Sequence, residues 1–96
     1  MSSIAPRSIA FAVHGPIARA DLPGLCNRVC ALLRERRPRE ALCDVQSVPA
    51  DAVTVDALAR LQLAARRLGC TIRLRHASPE LRELVAFMGL TEVLSD

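Results

Sequence analysis

The chain has 96 residues, a formal net charge of +3, 51% apolar residues and only two aromatics, Phe11 and Phe87. That length fits one domain able to bury about two thirds of its unfolded surface, and the apolar share excludes a disordered chain. No apolar run approaches the roughly 20 residues of a bilayer span, and the opening MSSIAPRSIA lacks the apolar stretch of a secretory leader, so the expectation is a cytoplasmic protein with reduced thiols.

Residues 1–7 show no periodicity and read as a flexible tail, which leaves 8–96 as a single domain. Residues 8–14 alternate, with Ile9, Phe11 and Val13 on one face and small or polar residues on the other, the pattern of a strand. Gly15-Pro16 ends it. A helix is predicted from Asp21, with Asp21 as its cap, Pro23 in its first turn and Leu22, Leu25, Cys26, Val29, Leu32 and Leu33 as its apolar stripe. Arg34, Arg36 and Arg37 suit the negative end of its dipole, and Pro38 stops it.

The stretch from Ala41 to Arg75 organises the rest. Residues 41–46 form a short apolar strand in which Asp44 is the odd member; a carboxylate there is expected to accept hydrogen bonds from the N–H groups of the loop that follows. A helix starts between Asp51 and Thr54, either of which can cap it, and ends at Gly69. Its apolar side is read as Val55, Leu58, Ala59, Leu61, Ala65 and Leu68, broadened by Leu63, with Arg60, Gln62, Arg66 and Arg67 outward. Residues 70–75 alternate as a second strand, with Ile72 and Leu74 inward. Strand, helix and strand at this spacing make a right-handed parallel crossover unit, and partners of such units meet the loops at the carboxyl ends of the strands. Ser78-Pro79-Glu80 opens a third helix, with Leu81, Leu84, Val85 and Met88 inward and Gly89 at its end; residues 90–94 pack a short terminal strand back on the sheet.

Little in this order carries chemistry. Cys26, Cys30, Cys43 and Cys70 lack the paired spacing of a zinc site and read as small core residues. His14 and His76 fall near strand ends as boundary polar residues, and no nucleophile–base pair or phosphate-binding glycine loop is apparent. All 13 basic residues are Arg, spread over several segments among Asp and Glu and without stacking aromatics, so no nucleic-acid partner is expected; the run from Arg34 to Arg37 reads as a solvated helix end.

Three stretches together resemble the STAS domain, the fold of anti-sigma factor antagonists. They are AFAVHG before a helix, LCDVQSVPAD through to Gly69, and IRLRHASPELRELVAFMGLTEVL, and the resemblance spans about Ile9 to Leu94. It implies an α/β, two-layer domain: a mixed, mostly parallel sheet of about four strands with helices packed against it. It also implies a non-enzymatic module without cofactors that binds an anti-sigma factor acting as a serine kinase. The alternative it offers is a scaffold or accessory subunit of a lipid-transport ABC complex. The family's regulatory motif is an Asp-Ser pair at the start of the second helix, where the kinase partner phosphorylates the Ser. Counting back from Gly69, Asp51 falls on the Asp and Ala52 on the Ser, so the usual acceptor is absent. Ser47 and Thr54 are the nearest hydroxyls; Thr54 is either a first-turn residue or a substitute phosphosite. The partner-binding surface implied is Gly15, Arg19, Ser47, Asp51, Ala52, Thr54 and Asp56. A phosphate there adds about −1.5 to −2 charges; without an acceptor the expected behaviour is constant binding.

Overall fold

The computed structural model describes residues 8–89, and the expected tail at 1–7 and terminal strand at 90–94 lie outside them. Three strands, β1 (Ser8–Ala12), β2 (Glu40–Asp44) and β3 (Thr71–Arg75), alternate with three helices, α1 (Leu22–Arg36), α2 (Ala52–Arg67) and α3 (Pro79–Phe87). The sheet order is β1-β2-β3, and both pairings are parallel. Among the described residues the sheet is thus wholly parallel and three-stranded; the fourth strand of the expected mixed, mostly parallel sheet falls at 90–94, outside them.

The alternation read from sequence holds in β1 and β3. Ile72 and Leu74 are buried against the helices while Thr71, Arg73 and Arg75 are exposed. On the same inner face lie Val13, Ala41, Cys43 and Val45, and α1 and α2 pack over it with Leu22, Val29, Leu33, Val55, Leu58 and Leu61. A core without aromatics is filled by these branched aliphatic side chains, which interdigitate at close range.

The helix ends follow local chemistry. Asp51 caps α2, its Oδ1 accepting from the Thr54 N–H at 2.8 Å, and Ser78 caps α3 by accepting from the Leu81 N–H at 3.1 Å. Gly69 closes α2 with φ of +75°; its N–H donates to the Arg66 carbonyl, and the Cys70 N–H donates to that of Ala65. That pair of bonds satisfies two carbonyls left over at a helix end and needs a left-handed residue between them.

Four expectations are qualified or corrected. Asp21 holds the N-cap position of α1 as expected, but its side chain makes no capping bond there: it also ends a short 3₁₀ turn, Arg19–Asp21, and its carboxylate reaches back to accept from the Ala18 N–H at 3.2 Å. Gln62 faces inward and is buried, whereas Leu63, assigned to the apolar side of α2, is 61% exposed. Met88 lies beyond the last turn of α3 and is exposed, not part of its inward stripe. Gln62 is inside because it serves β3. Its amide nitrogen donates to the Ile72 carbonyl at 3.1 Å, and its amide oxygen accepts from the Ile72 N–H at 2.9 Å. The side chain thereby pairs the outward-pointing peptide groups that an edge strand leaves open.

Candidate functional site

The parallel sheet sends every strand-to-helix turn to one end, the carboxyl end of the strands. The turn after β1, the turn after β2 and the turn after β3 therefore meet there, and so do the residues singled out by the sequence. Gly15 sits beneath the second of these turns. A Cβ on Gly15 would lie 2.6 Å from Pro49 Cδ and 3.1 Å from Val48 Cα, so only glycine lets the two turns touch. The Gly15-Pro16 bond beside it is cis. Ser47 is joined to the first turn through its hydroxyl, 3.2 Å from His14 Nδ1.

Arg19 and Asp56 are also brought together. The Arg19 guanidinium donates to Asp56 Oδ2 at 3.1 Å, and Arg60 Nε donates to Oδ1 at 3.1 Å. Arg60 holds the Asp56 carboxyl below the usual aspartate range; desolvation works against this, and Arg19 adds to it. The sequence reading left Arg60 as an outward residue. The signal available for its pairing was the four-residue spacing from Asp56 along one helix.

Asp44 behaves as expected and does more. Its Oδ1 accepts from the Gln46 N–H at 2.9 Å, and its Oδ2 lies 3.3 Å from His76 Nδ1 on the turn after β3. The Gln46 N–H is the main cause that lowers the Asp44 pKa; desolvation opposes it, and His76 adds to the lowering. His76 adopts a left-handed φ of 60° at this turn. One carboxylate thus ties the ends of β2 and β3 together, while the contact between Ser47 and His14 ties β2 to β1.

At the start of α2, Asp51 and Ala52 are exposed side by side. Thr54 is not: it is fully buried, and its Oγ1 lies inside the protein. A kinase would have to unwind the first turn of α2 to reach it, so of the two roles open to Thr54 its burial favours the first-turn residue over the substitute phosphosite. Ser47 is exposed, with its hydroxyl engaged by His14.

The fold does create one hydroxyl–imidazole contact that the sequence reading did not foresee. In a hydrolytic triad a carboxylate orients the imidazole through the nitrogen that does not face the nucleophile. Here Asp44 engages His76 instead of His14, so the carboxylate and the hydroxyl serve different rings. Burial disfavours the thiolate at three of the four cysteines. Burial pushes the Cys43 thiol up to about 12, and burial raises Cys26 and Cys70 as well. All four cysteines are free. Among the described residues no group of three or more His, Cys, Asp or Glu is placed to hold a metal ion. An open groove of about 580 Å³ runs between β1, the turn after it and α1, lined by Phe11, His14, Pro16, Ile17, Leu25 and Arg28 among others.

No protein-family model matches the chain, and no curated protein matches it. Solved structures do. The anti-sigma factor antagonist SpoIIAA in its unphosphorylated form superposes with a TM-score of 0.71 at 12% identity, over 98% of this chain and 84% of that one. A sulfate transporter family protein from Wolinella succinogenes superposes with a TM-score of 0.69 at 23% identity, over 97% of this chain and 76% of that one. The architecture is therefore α/β and STAS-like. At these identities the likeness defines the fold and leaves the role to be argued from the site.

Proposed function

We propose that this domain is a non-enzymatic protein-interaction module that docks a regulatory partner on the exposed start of α2, in the manner of an anti-sigma factor antagonist binding an anti-sigma factor with serine kinase activity. The observation that carries this reading is the construction of that turn. Asp51 and Ala52 face outward, the 47–49 segment rests directly on Gly15, and Arg19 braces the first turns of α2 through Asp56. A turn held from two sides and exposed at its tip is preorganised for docking, which reduces the ordering cost of association. The likeness to SpoIIAA supports the choice of partner class. On this reading Gly15, Arg19, Ser47, Asp51, Ala52 and Asp56 form the contact surface. The domain works in the cytoplasm and binds constantly, because Ala52 carries no hydroxyl and the Thr54 hydroxyl is buried.

The test is capture of the partner by wild type and by Ala52→Glu, followed by Ala52→Ser with the captured kinase and ATP. Placing a charge at this exposed position is expected to lower partner affinity at least tenfold, and Ala52→Ser is expected to gain one phosphate and release the partner. Unchanged capture by Ala52→Glu would remove the start of α2 from the interface. A second reading draws on the likeness to the sulfate transporter family protein: the domain is a scaffold or accessory part of a transport complex, such as a lipid-transport ABC assembly. Capture of a transporter subunit instead of a kinase, lost in Ala52→Glu, would select it.

A further inference from the structure

The end of the sheet opposite the docking turns has a character of its own. α1 and α2 both run back from the carboxyl end, so their last turns and the starts of β2 and β3 share the amino end. The Thr71 N–H donates to the Arg39 carbonyl at 2.9 Å, and Glu40 stands level with Thr71 in the sheet, which joins the two chain segments there. This places Arg34, Arg36, Arg37 and Arg39 at the same end of the domain as Arg66 and Arg67, all exposed. The acidic residues among them are Glu35 and Glu40, and Glu40 is engaged by Arg73. Arg34, Arg36, Arg37, Arg66 and Arg67 make no ion pair with a described residue.

Favourable placement against helix dipoles accounts for basic residues in the last turn of each helix. It does not account for Arg39, which lies past the helix, nor for the apolar side chain beside these charges. Leu63 is 61% exposed and lies three and four residues before Arg66 and Arg67, on the same face of α2. α3 starts at the carboxyl end of β3 and heads away from it, and its last residue, Phe87, and the Met88 that follows are 85% and 57% exposed. These are the large apolar side chains that the described fold leaves in water.

We propose that this arginine-rich end, with Leu63 at its margin, binds the surface of an anionic phospholipid bilayer. Four to eight basic residues on one face attract anionic lipid, with each contributing about a fivefold gain in binding. Bulky apolar side chains beside them add contact with the acyl boundary. Nucleic acid fits less well. The surface is a blunt junction of two helix ends with no helix laid out for a groove, and it lacks the aromatic platform on which bases stack. The proposal stands independently of the partner reading, because it uses the opposite end of the sheet. The docking turns then face away from the membrane.

Vesicle sedimentation tests it with the whole chain. Phosphatidylcholine vesicles are compared with mixed phosphatidylcholine–phosphatidylglycerol vesicles across a salt series, for wild type, Arg36→Gln/Arg37→Gln/Arg66→Gln/Arg67→Gln, the same four positions changed to Lys, and Leu63→Ser. Wild type should bind the anionic vesicles at least tenfold more strongly than the neutral ones, and less as salt rises. The Gln variant should lose that preference, the Lys variant should keep it, and Leu63→Ser should weaken whatever binding survives high salt. Circular dichroism confirms that each variant is folded. Equal binding to both vesicle types, or a Gln variant that binds anionic vesicles like wild type, would overturn the proposal. So would duplex DNA that displaces the protein from vesicles at equal phosphate concentration, which would assign the pole to nucleic acid.

Discussion

The two ends of the sheet use charge in opposite ways. At the carboxyl end each central carboxylate has a partner: Asp44 accepts from the Gln46 N–H and meets His76, Asp51 accepts from the Thr54 N–H, and Asp56 holds Arg19 and Arg60. At the amino end the arginines of α1 and α2 stand in solvent with no ion pair to a described residue. The difference teaches that net charge says little about use. Paired charge fixes the shape of turns, and unpaired charge is available to something outside the chain. Substitutions at the carboxyl end should therefore cost stability as well as binding, and substitutions at the amino end should cost binding alone.

The scale for that comparison comes from between the two ends. Gln62→Ala leaves the Ile72 N–H and carbonyl buried without a partner, since Gln62 now supplies both bonds. Two orphaned peptide groups and a small cavity should cost about 3 kcal/mol, measured as a lower midpoint in urea with unchanged slope. Gly15→Ala comes next. Its Cβ would press into Pro49 Cδ at 2.6 Å and the Val48 backbone at 3.1 Å, neither of which is the end of a flexible chain. Overpacking of this kind costs about 1–3 kcal/mol, and it should also lower partner capture by displacing the 47–49 segment. A Gly15→Ala variant as stable as wild type would show that the two turns are not seated on each other, and the carboxyl end would lose its claim to be preformed.

These two residues also mark what the sequence could and could not tell. The fold class was legible because period-2 strands and period-3.6 helices alternate cleanly, with Gly69 and Ser78 as unambiguous helix stops and starts. The structural role of Asp44 was legible too, since a carboxylate at the end of a buried strand has nearby N–H groups to accept from. Gln62 was not. It stands four residues after Leu58 and seven after Val55, in the buried stripe by position, but its polarity argued for solvent. The decisive fact was the open edge of β3, which is a tertiary feature. Leu63 failed in the mirror sense: hydrophobicity placed it inside, and its angle on the helix placed it outside. Asp21 was legible as the N-cap residue of α1, but nothing local announces the 3₁₀ turn ahead of the helix that draws its carboxylate back to Ala18. The pairing of Arg19 with Asp56 spans two turns, and no spacing rule along the chain reports it.

Smaller effects separate the paired carboxylates from one another. Asp51→Ala removes the cap of α2 and should cost about 1 kcal/mol, with Asp51→Asn recovering most of it because the amide oxygen still accepts from Thr54. Acid should act on Asp44 and Asp56 together. Both have lowered pKa values in the folded state, Asp44 chiefly through the Gln46 N–H and Asp56 chiefly through Arg60. A lowered folded pKa means that the unfolded chain takes up the proton first. Their contribution is complete above the ordinary carboxylate range and is lost as pH falls below about 4 through the folded values. Thermal melts should therefore change little between pH 7 and pH 5 on account of these groups and decline below pH 4. In Asp44→Asn/Asp56→Asn that decline should shrink.

The smallest expected change in stability belongs to the amino end. Changing Arg36, Arg37, Arg66 and Arg67 to Gln removes four charges that make no ion pair with a described residue. Two effects oppose each other. The last turns of α1 and α2 lose an interaction with their dipoles, worth about 0.3 kcal/mol per exposed site, and like charges crowded at one pole stop repelling one another. The net change in unfolding free energy should fall within about 0.5 kcal/mol, and raising the salt concentration should reduce it further. Urea titrations at low and high salt would resolve this. A loss of 2 kcal/mol or more would mean that these arginines hold the chain to itself, and the contrast between a paired end and an available end would fail at its weaker side.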